Sequence, residues 1–199
     1  KRVREVLQPV NVLAIGMIAT GMCFFVNFQL PIVTTVLPDS IVAEFEIMMD
    51  NAGYGVELIP TLFSLLFAPI AEELMFRGIM FYYLQKIFEG RFGKRKTFWI
   101  ANLIQAVFFG VYHVNFIQGG YAFVVGLVLG YLMFQYESIF APILAHMLHN
   151  FLSTFVWQSV AASMPDSNAA FAVGAGLSLC VVVLGMMLCV LNSEKIGKE

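Results

Sequence analysis

The sequence predicts an all-α, polytopic transmembrane helix bundle of about six spans with both termini in the cytoplasm. Three observations predict it. Of 199 residues, 60% are hydrophobic and only 12% charged, whereas roughly a quarter of a soluble domain is charged. The mean hydropathy is +0.83. The apolar residues are also gathered into runs, and about twenty in a helix suffice to cross the hydrocarbon core. The net charge of −2 says nothing about nucleic acid, but no basic stripe with interleaved aromatics is present, which sets nucleic acid aside as a partner.

The first run, residues 10–36, follows a basic start, Lys1-Arg2-Val3-Arg4. It is too long for a signal peptide and lacks a small-x-small cleavage site, so it reads as a retained span. The second, residues 58–88, contains the most polar segment inside any run. The third and fourth, residues 97–112 and 121–136, are short at about sixteen residues against the twenty a crossing needs. Residues 139–161 and 169–191 complete the six. Between the first two spans, residues 38–57 place Ile41, Val42, Phe45, Met48 and Met49 near helical spacing, as in an amphipathic helix on the outer surface. Its plain role is a connector, and a lid over a site is the sharper one. No repeat, low-complexity tract or second domain is visible. Residues 1–199 read as one integral-membrane domain, with a motif-bearing core at approximately 58–161.

Charge sets the orientation. Apart from Arg77, every Lys and Arg lies in one of three places: Lys1, Arg2 and Arg4; Lys86, Arg91, Lys94, Arg95 and Lys96; or Lys195 and Lys198. Six spans put all three on one side, which the positive-inside rule makes cytoplasmic. Asp39, Glu44, Glu46, Asp50, Glu57 and Asp166 fall on the other side. Cys23, Cys180 and Cys189 lie in apolar runs without metal-site spacing and read as buried spectator thiols.

Away from the predicted span ends, the ionisable residues within the spans are Glu72, Glu73, Arg77, His113, His146 and His149, with Asn27, Gln29, Asn102, Gln105 and Asn150 adding uncharged polarity. A charge at a helix centre costs about 2.5–3.5 kcal/mol on insertion scales, so such groups face the bundle interior and mark function. Glu73 and Arg77 are i and i+4 and can pair along one helix. Glu72 lies about 100° around that helix from Glu73, so its partner must come from another helix. His113 follows Phe109 by one turn, and His146 and Asn150 are again i and i+4. His149 is off that face by one residue and reads as a neighbour.

A carboxylate and an imidazole facing one cavity can activate water, and a second His with an Asn can donate to a developing oxyanion. Those parts suit amide hydrolysis without a covalent intermediate. GxSxG and HExxH are both absent, which removes the usual serine-hydrolase and helical zinc-protease signatures. Two Glu and two His can still ligate a divalent metal, a minority reading; the expectation is no cofactor.

Glu72-Glu73-x-x-x-Arg77, Phe109-x-x-x-His113 and His146-x-x-x-Asn150 resemble, in order, the three motifs of the CAAX protease and bacteriocin-processing family. PIAEELMFRG and GYLMFQYESIFAPILAHMLHN are similar to its first block and to the region leading into its last. The likeness runs from Pro69 to Asn150, about two fifths of the chain. It implies an intramembrane glutamate-type endopeptidase. Glu72 would be the base on water with His113 orienting it, His146 and Asn150 would form the oxyanion site, and Glu73 and Arg77 would organise the carboxylates. The implied partners are membrane lipid and a peptide or membrane-protein substrate, and the short chain looks like the prokaryotic relatives, placing it in a prokaryotic cell membrane. Oligomeric state stays open. Two rival readings remain. One is a non-catalytic scaffold or bacteriocin-immunity protein with the same fold; the other is a small transporter, which the missing repeat disfavours. Glu72 lies about 24 Å from the cytoplasmic end of a straight helix, which puts the site nearer the outer leaflet.

Overall fold

The computed structural model describes residues 2–196. Lys1 and Lys198, two cations behind the orientation reading, lie outside the described residues, as do the side chains of Arg2 and Lys195. Every regular element among the described residues is helical, as lipid requires of a chain that must satisfy its backbone polar groups internally. Among the described residues, four helices are long and apolar enough to cross a membrane: Pro9–Thr34, Leu58–Phe88, Phe116–Tyr136 and Asn168–Asn192.

A short α1 (Arg2–Val6) leads into α2 (Pro9–Thr34), which starts with proline at N1, where its missing N–H costs nothing. The main partner of α2 is the last helix, α11 (Asn168–Ile196). Small residues allow the close approach: a Cβ on Gly21 would meet the Ser178 carbonyl at 2.7 Å. Without a hydrophobic force between helices in lipid, such van der Waals contact is what holds them. The expected surface helix is α3 (Asp39–Asn51), whose buried residue is Phe45, edge-on to Tyr121.

The Leu58–Phe88 helix has the expected bounds but is not uniform. Three α-helical stretches, α4 (Leu58–Leu62), α5 (Ala68–Glu73) and α6 (Phe81–Phe88), are separated by π-helical turns at Phe63–Phe67 and Leu74–Met80. The first turn precedes Pro69, which offers no N–H to residue 65 and crowds its carbonyl. The second carries Arg77. π-turns inside α-helices recur at functional sites.

Two expected spans differ from the four apolar ones. α7 (Lys94–Tyr112) starts Lys94-Arg95-Lys96 and buries Asn102 and Gln105. The run 139–161 is interrupted: α9 (Phe140–Phe155) has 16 residues and ends at Val156, after which α10 (Trp157–Ala161) follows. α8 (Phe116–Tyr136) packs along α7. Gly110 and Gly119 close that corner, because a Cβ on Gly110 would stand 2.6 Å from the Gly119 carbonyl. The chain turns there through Val114, whose φ of 58° is unusual for a β-branched residue, and Asn115 caps α8 by accepting from the N–H groups of Ile117 and Gln118 at 3.0 Å each. Cys23 and Cys189 are buried as expected, but Cys180 is exposed; α11 is apolar all round in this region, so its pattern does not reveal which face packs.

Candidate active site

The site is assembled from α5 and the second π-turn, the C-terminus of α7, and α9. Glu73 and Arg77 pair at 2.7 Å through Oε1 and Nη1, and both side chains are fully buried. The i,i+4 partnership expected along this helix is present. Arg77 lies 4.3 Å over the Phe109 ring, a cation–π contact that further suits a buried guanidinium. Its Nη2 donates to the Gly126 carbonyl at 3.2 Å. That carbonyl also accepts from Gln105 Nε2 at 2.9 Å, and the same nitrogen donates to Asn102 Oδ1 at 2.7 Å. Asn102 Nδ2 ends the ladder on the Leu127 carbonyl at 3.0 Å. The sequence marked Asn102 and Gln105 as polar residues in a span but gave them no role; they brace Arg77 through a shared carbonyl.

His146 reaches both carboxylates. Its Nδ1–H donates to Glu73 Oε1 at 2.8 Å, while Nε2 lies 3.9 Å from Glu72 Oε2. Glu72 thus looks to another helix, as its angular offset requires, and its side chain keeps 14% exposure where Glu73 has none. The His113 Nδ1–H donates to the Phe109 carbonyl at 2.8 Å, because a carbonyl only accepts. This leaves Nε2 as the nitrogen with a lone pair. The Phe109 ring is edge-on to His113 at 4.9 Å and to His146 at 6.0 Å. Asn150 donates through Nδ2 to the Ser64 carbonyl at 2.8 Å, tying α9 to the first π-turn.

These side chains border a cavity of about 350 Å³, at the small end of ligand-sized pockets. Glu72, His113, His146 and Asn150 line it, whereas Glu73 and Arg77 lie behind its wall. Val26 and Leu30 of α2 and Phe45 and Met49 of α3 supply apolar walls, so the outer loop reaches the site. His149 also lines the cavity, although its position beside the His146–Asn150 face made it read as a neighbour. The missed signal was a longer polar repeat: His146, His149, Asn150, Ser153 and Thr154 follow the i, i+3, i+4, i+7, i+8 spacing of one helix face, and all five border the cavity. Among the described residues no group of three or more His, Cys, Asp or Glu is placed to hold a metal ion.

Residues 55–152 match the Rce1-like family model, described as type II CAAX prenyl endopeptidase Rce1-like. No curated protein and no solved structure matches the chain. The matched stretch contains all three motifs, with Glu72, Glu73, Arg77, His113, His146 and Asn150, and the long apolar helices make the chain an integral membrane protein. Over this core, 98 of 199 residues, the chain matches the Rce1-like family of CAAX proteases.

Proposed function

We propose that this chain is an intramembrane endopeptidase that hydrolyses a peptide bond of a membrane-associated protein or peptide by glutamate-activated water. The observation that carries the reading is His146 held between two adjacent carboxylates, one buried on Arg77 and the other facing a cavity shared with His113 and Asn150. α7 and α9 cross the membrane with the four more apolar helices, and both termini lie in the cytoplasm, as the basic loops require.

In the reaction, Glu72 takes a proton from water while the Nε2 lone pair of His113 holds that water in place. The water oxygen bonds to the scissile carbonyl carbon, and the carbonyl oxygen becomes an oxyanion. Asn150 has a second N–H beyond the one given to Ser64, and it donates to that oxygen together with the Nε2–H of His146, whose ring carries a proton on both nitrogens in this step. One such donor contributes about 10²–10³-fold in other acyl-transfer sites. The intermediate collapses with cleavage of the C–N bond, and Glu72 returns its proton to the leaving amine. Glu73 and Arg77 never touch the substrate. They fix the His146 ring and keep the buried charge paired.

The test is a comparison of protein termini in membranes from cells that express the wild-type chain, Glu72→Ala, or neither. New termini that need the chain, and vanish with Glu72→Ala while folded protein persists in the membrane, are expected. Termini that persist at the wild-type rate in Glu72→Ala would remove Glu72 as the base. Prenylated CAAX tails are the first substrate class to seek among them, given the family's description.

A further inference from the structure

The five-residue polar face of α9 extends beyond the catalytic groups. From His146 to Thr154 it rises about 12 Å along the helix. α9 and the Leu58–Phe88 helix run antiparallel here: Glu72 meets His146 at one level, and Ser64 meets Asn150 one turn on. Gly55, in the connection after α3, reaches Thr154, whose Cγ2 would stand 3.1 Å from a Cβ at that position. The face therefore runs from the carboxylates at the cavity floor to its mouth under α3.

The polar groups at the mouth differ in how they are satisfied. Ser153 Oγ accepts from Asn27 Nδ2 at 3.1 Å, a bond between α9 and α2 across one side of the cavity. His149 is only 6% exposed and lines the cavity, yet its buried Nδ1 has no hydrogen-bond partner among the described residues. A buried polar group without a partner is costly and rare in folded proteins; the imidazole borders the cavity, and its ring edge there is open to whatever fills it. The remaining walls carry Val26, Leu30, Phe45, Met49 and Phe63, with Asn27, Tyr54, Gln118, Tyr121 and Gln158 among them.

A continuous polar line along α9 beside broad apolar surfaces is the complement of a particular ligand. An extended peptide in a water-poor cavity must find partners for its backbone N–H and C=O groups, while its side chains project alternately away from that line. At about 3.3 Å per residue, 12 Å accommodates three to four extended residues. We infer that His149, Ser153 and Thr154 form a track that binds the backbone of an extended, apolar substrate segment entering beneath α3 and guides its scissile amide to Glu72. This deepens the peptidase reading and rests on it. His149 is the positioning residue of the track, since its ring lies on the polar face between His146 and Ser153 and borders the cavity.

The experiment separates binding from chemistry. Purified Glu72→Gln protein in detergent is titrated with a fluorescein-labelled octapeptide of alternating Ala and Leu, and with the same peptide methylated on alternate backbone nitrogens. The plain peptide is expected to bind at least tenfold tighter, because each lost backbone hydrogen bond is worth about 1 kcal/mol and 1.4 kcal/mol is tenfold. Adding His149→Ala, with Ser153→Ala as a second variant, is expected to weaken the plain peptide about five- to tenfold and to shrink the methylation penalty. In the chain with Glu72 intact, His149→Ala should raise KM for a substrate found among the chain-dependent termini while changing kcat less than threefold. Equal affinity for the two peptides overturns the track, whether or not the variants fold. So does plain-peptide affinity unchanged within twofold by His149→Ala in a folded protein. A backbone-dependent complex combined with termini indifferent to Glu72 would keep the track and remove the peptidase reading, so the two fail separately.

Discussion

Glu72 and Glu73 are neighbours in the chain, yet they belong to two differently built regions. The region behind Glu73 is closed. Arg77, the Gly126 carbonyl, Gln105 and Asn102 pass hydrogen bonds from the Leu58–Phe88 helix to α7 and α8, with Glu73, Arg77, Asn102 and Gln105 all at 0% exposure. The region in front of Glu72 is open, a cavity whose polar atoms are only partly used by the protein. The hundred-degree step between adjacent helical residues assigns one carboxylate to each. The difference shows how a membrane protein can bury an ion pair and still keep a second carboxylate facing a cavity: the closed region fixes the geometry around the open one. His146 joins the two, with Nδ1 on Glu73 and Nε2 toward Glu72.

The largest expected effect comes from removing chemistry without touching the closed region. Glu72→Gln keeps the side-chain volume and should lower kcat by about 10²–10⁴-fold, the range of a general base. The melting temperature in detergent should stay within a few degrees of wild type. A comparable loss of stability would mean that Glu72 belongs structurally to the closed region, and the contrast between the two carboxylates would dissolve.

Arg77→Ala should do the reverse. It leaves Glu73 buried with its cation gone, and breaking a buried pair in this way costs about 3–5 kcal/mol. The informative control is the double variant Glu73→Gln with Arg77→Met, which removes both charges at similar volume and should recover most of that stability. It should not recover activity, because His146 then loses the carboxylate that orients its ring. Denaturation in detergent and turnover, measured on the same preparations, decide the matter. Full activity in the double variant would show that the closed region does not hold the open one in place.

How much of this the sequence disclosed follows from the kind of signal each feature leaves. Burying charge in an apolar helix is so costly that Glu72, Glu73 and Arg77 stand out in the letters alone, and i,i+4 spacing sufficed to pair Glu73 with Arg77 and to place His146 and Asn150 on one face. The helical class was visible for the same reason, since length and apolarity are summed properties. What stayed hidden depends on contacts between helices. Nothing in the spacing shows that His146 would bond Glu73 rather than stand free, or that Asn102 and Gln105 would converge on the Gly126 carbonyl. The π-turns at Phe63–Phe67 and Leu74–Met80 are local widenings with no residue code beyond a nearby proline. His149 was passed over because the motif spacing favoured its neighbours, although the five-residue polar face was there to be counted.

The smallest expected effect tests the joint between the regions. α7 contributes to both: Asn102, Gln105 and the Phe109 ring to the closed one, and His113, at its C-terminus, to the open one. Its last turn is held against α8 where Gly110 and Gly119 meet. Because a Cβ on Gly110 would stand 2.6 Å from the Gly119 backbone oxygen, Gly110→Ala must separate the two helices at that corner. Overpacking of this kind costs about 1–3 kcal/mol, less than the loss for Arg77→Ala. The shift is nearer His113 than Gln105, which lies five residues earlier on α7. Activity should therefore fall by more than the stability change accounts for, with binding of the plain octapeptide largely kept, since α9 is not displaced. Turnover, melting temperature and peptide titration on Gly110→Ala read these three quantities in one protein. If stability falls while kcat is preserved, the placement of His113 is not what the corner controls, and its part in orienting water falls with it.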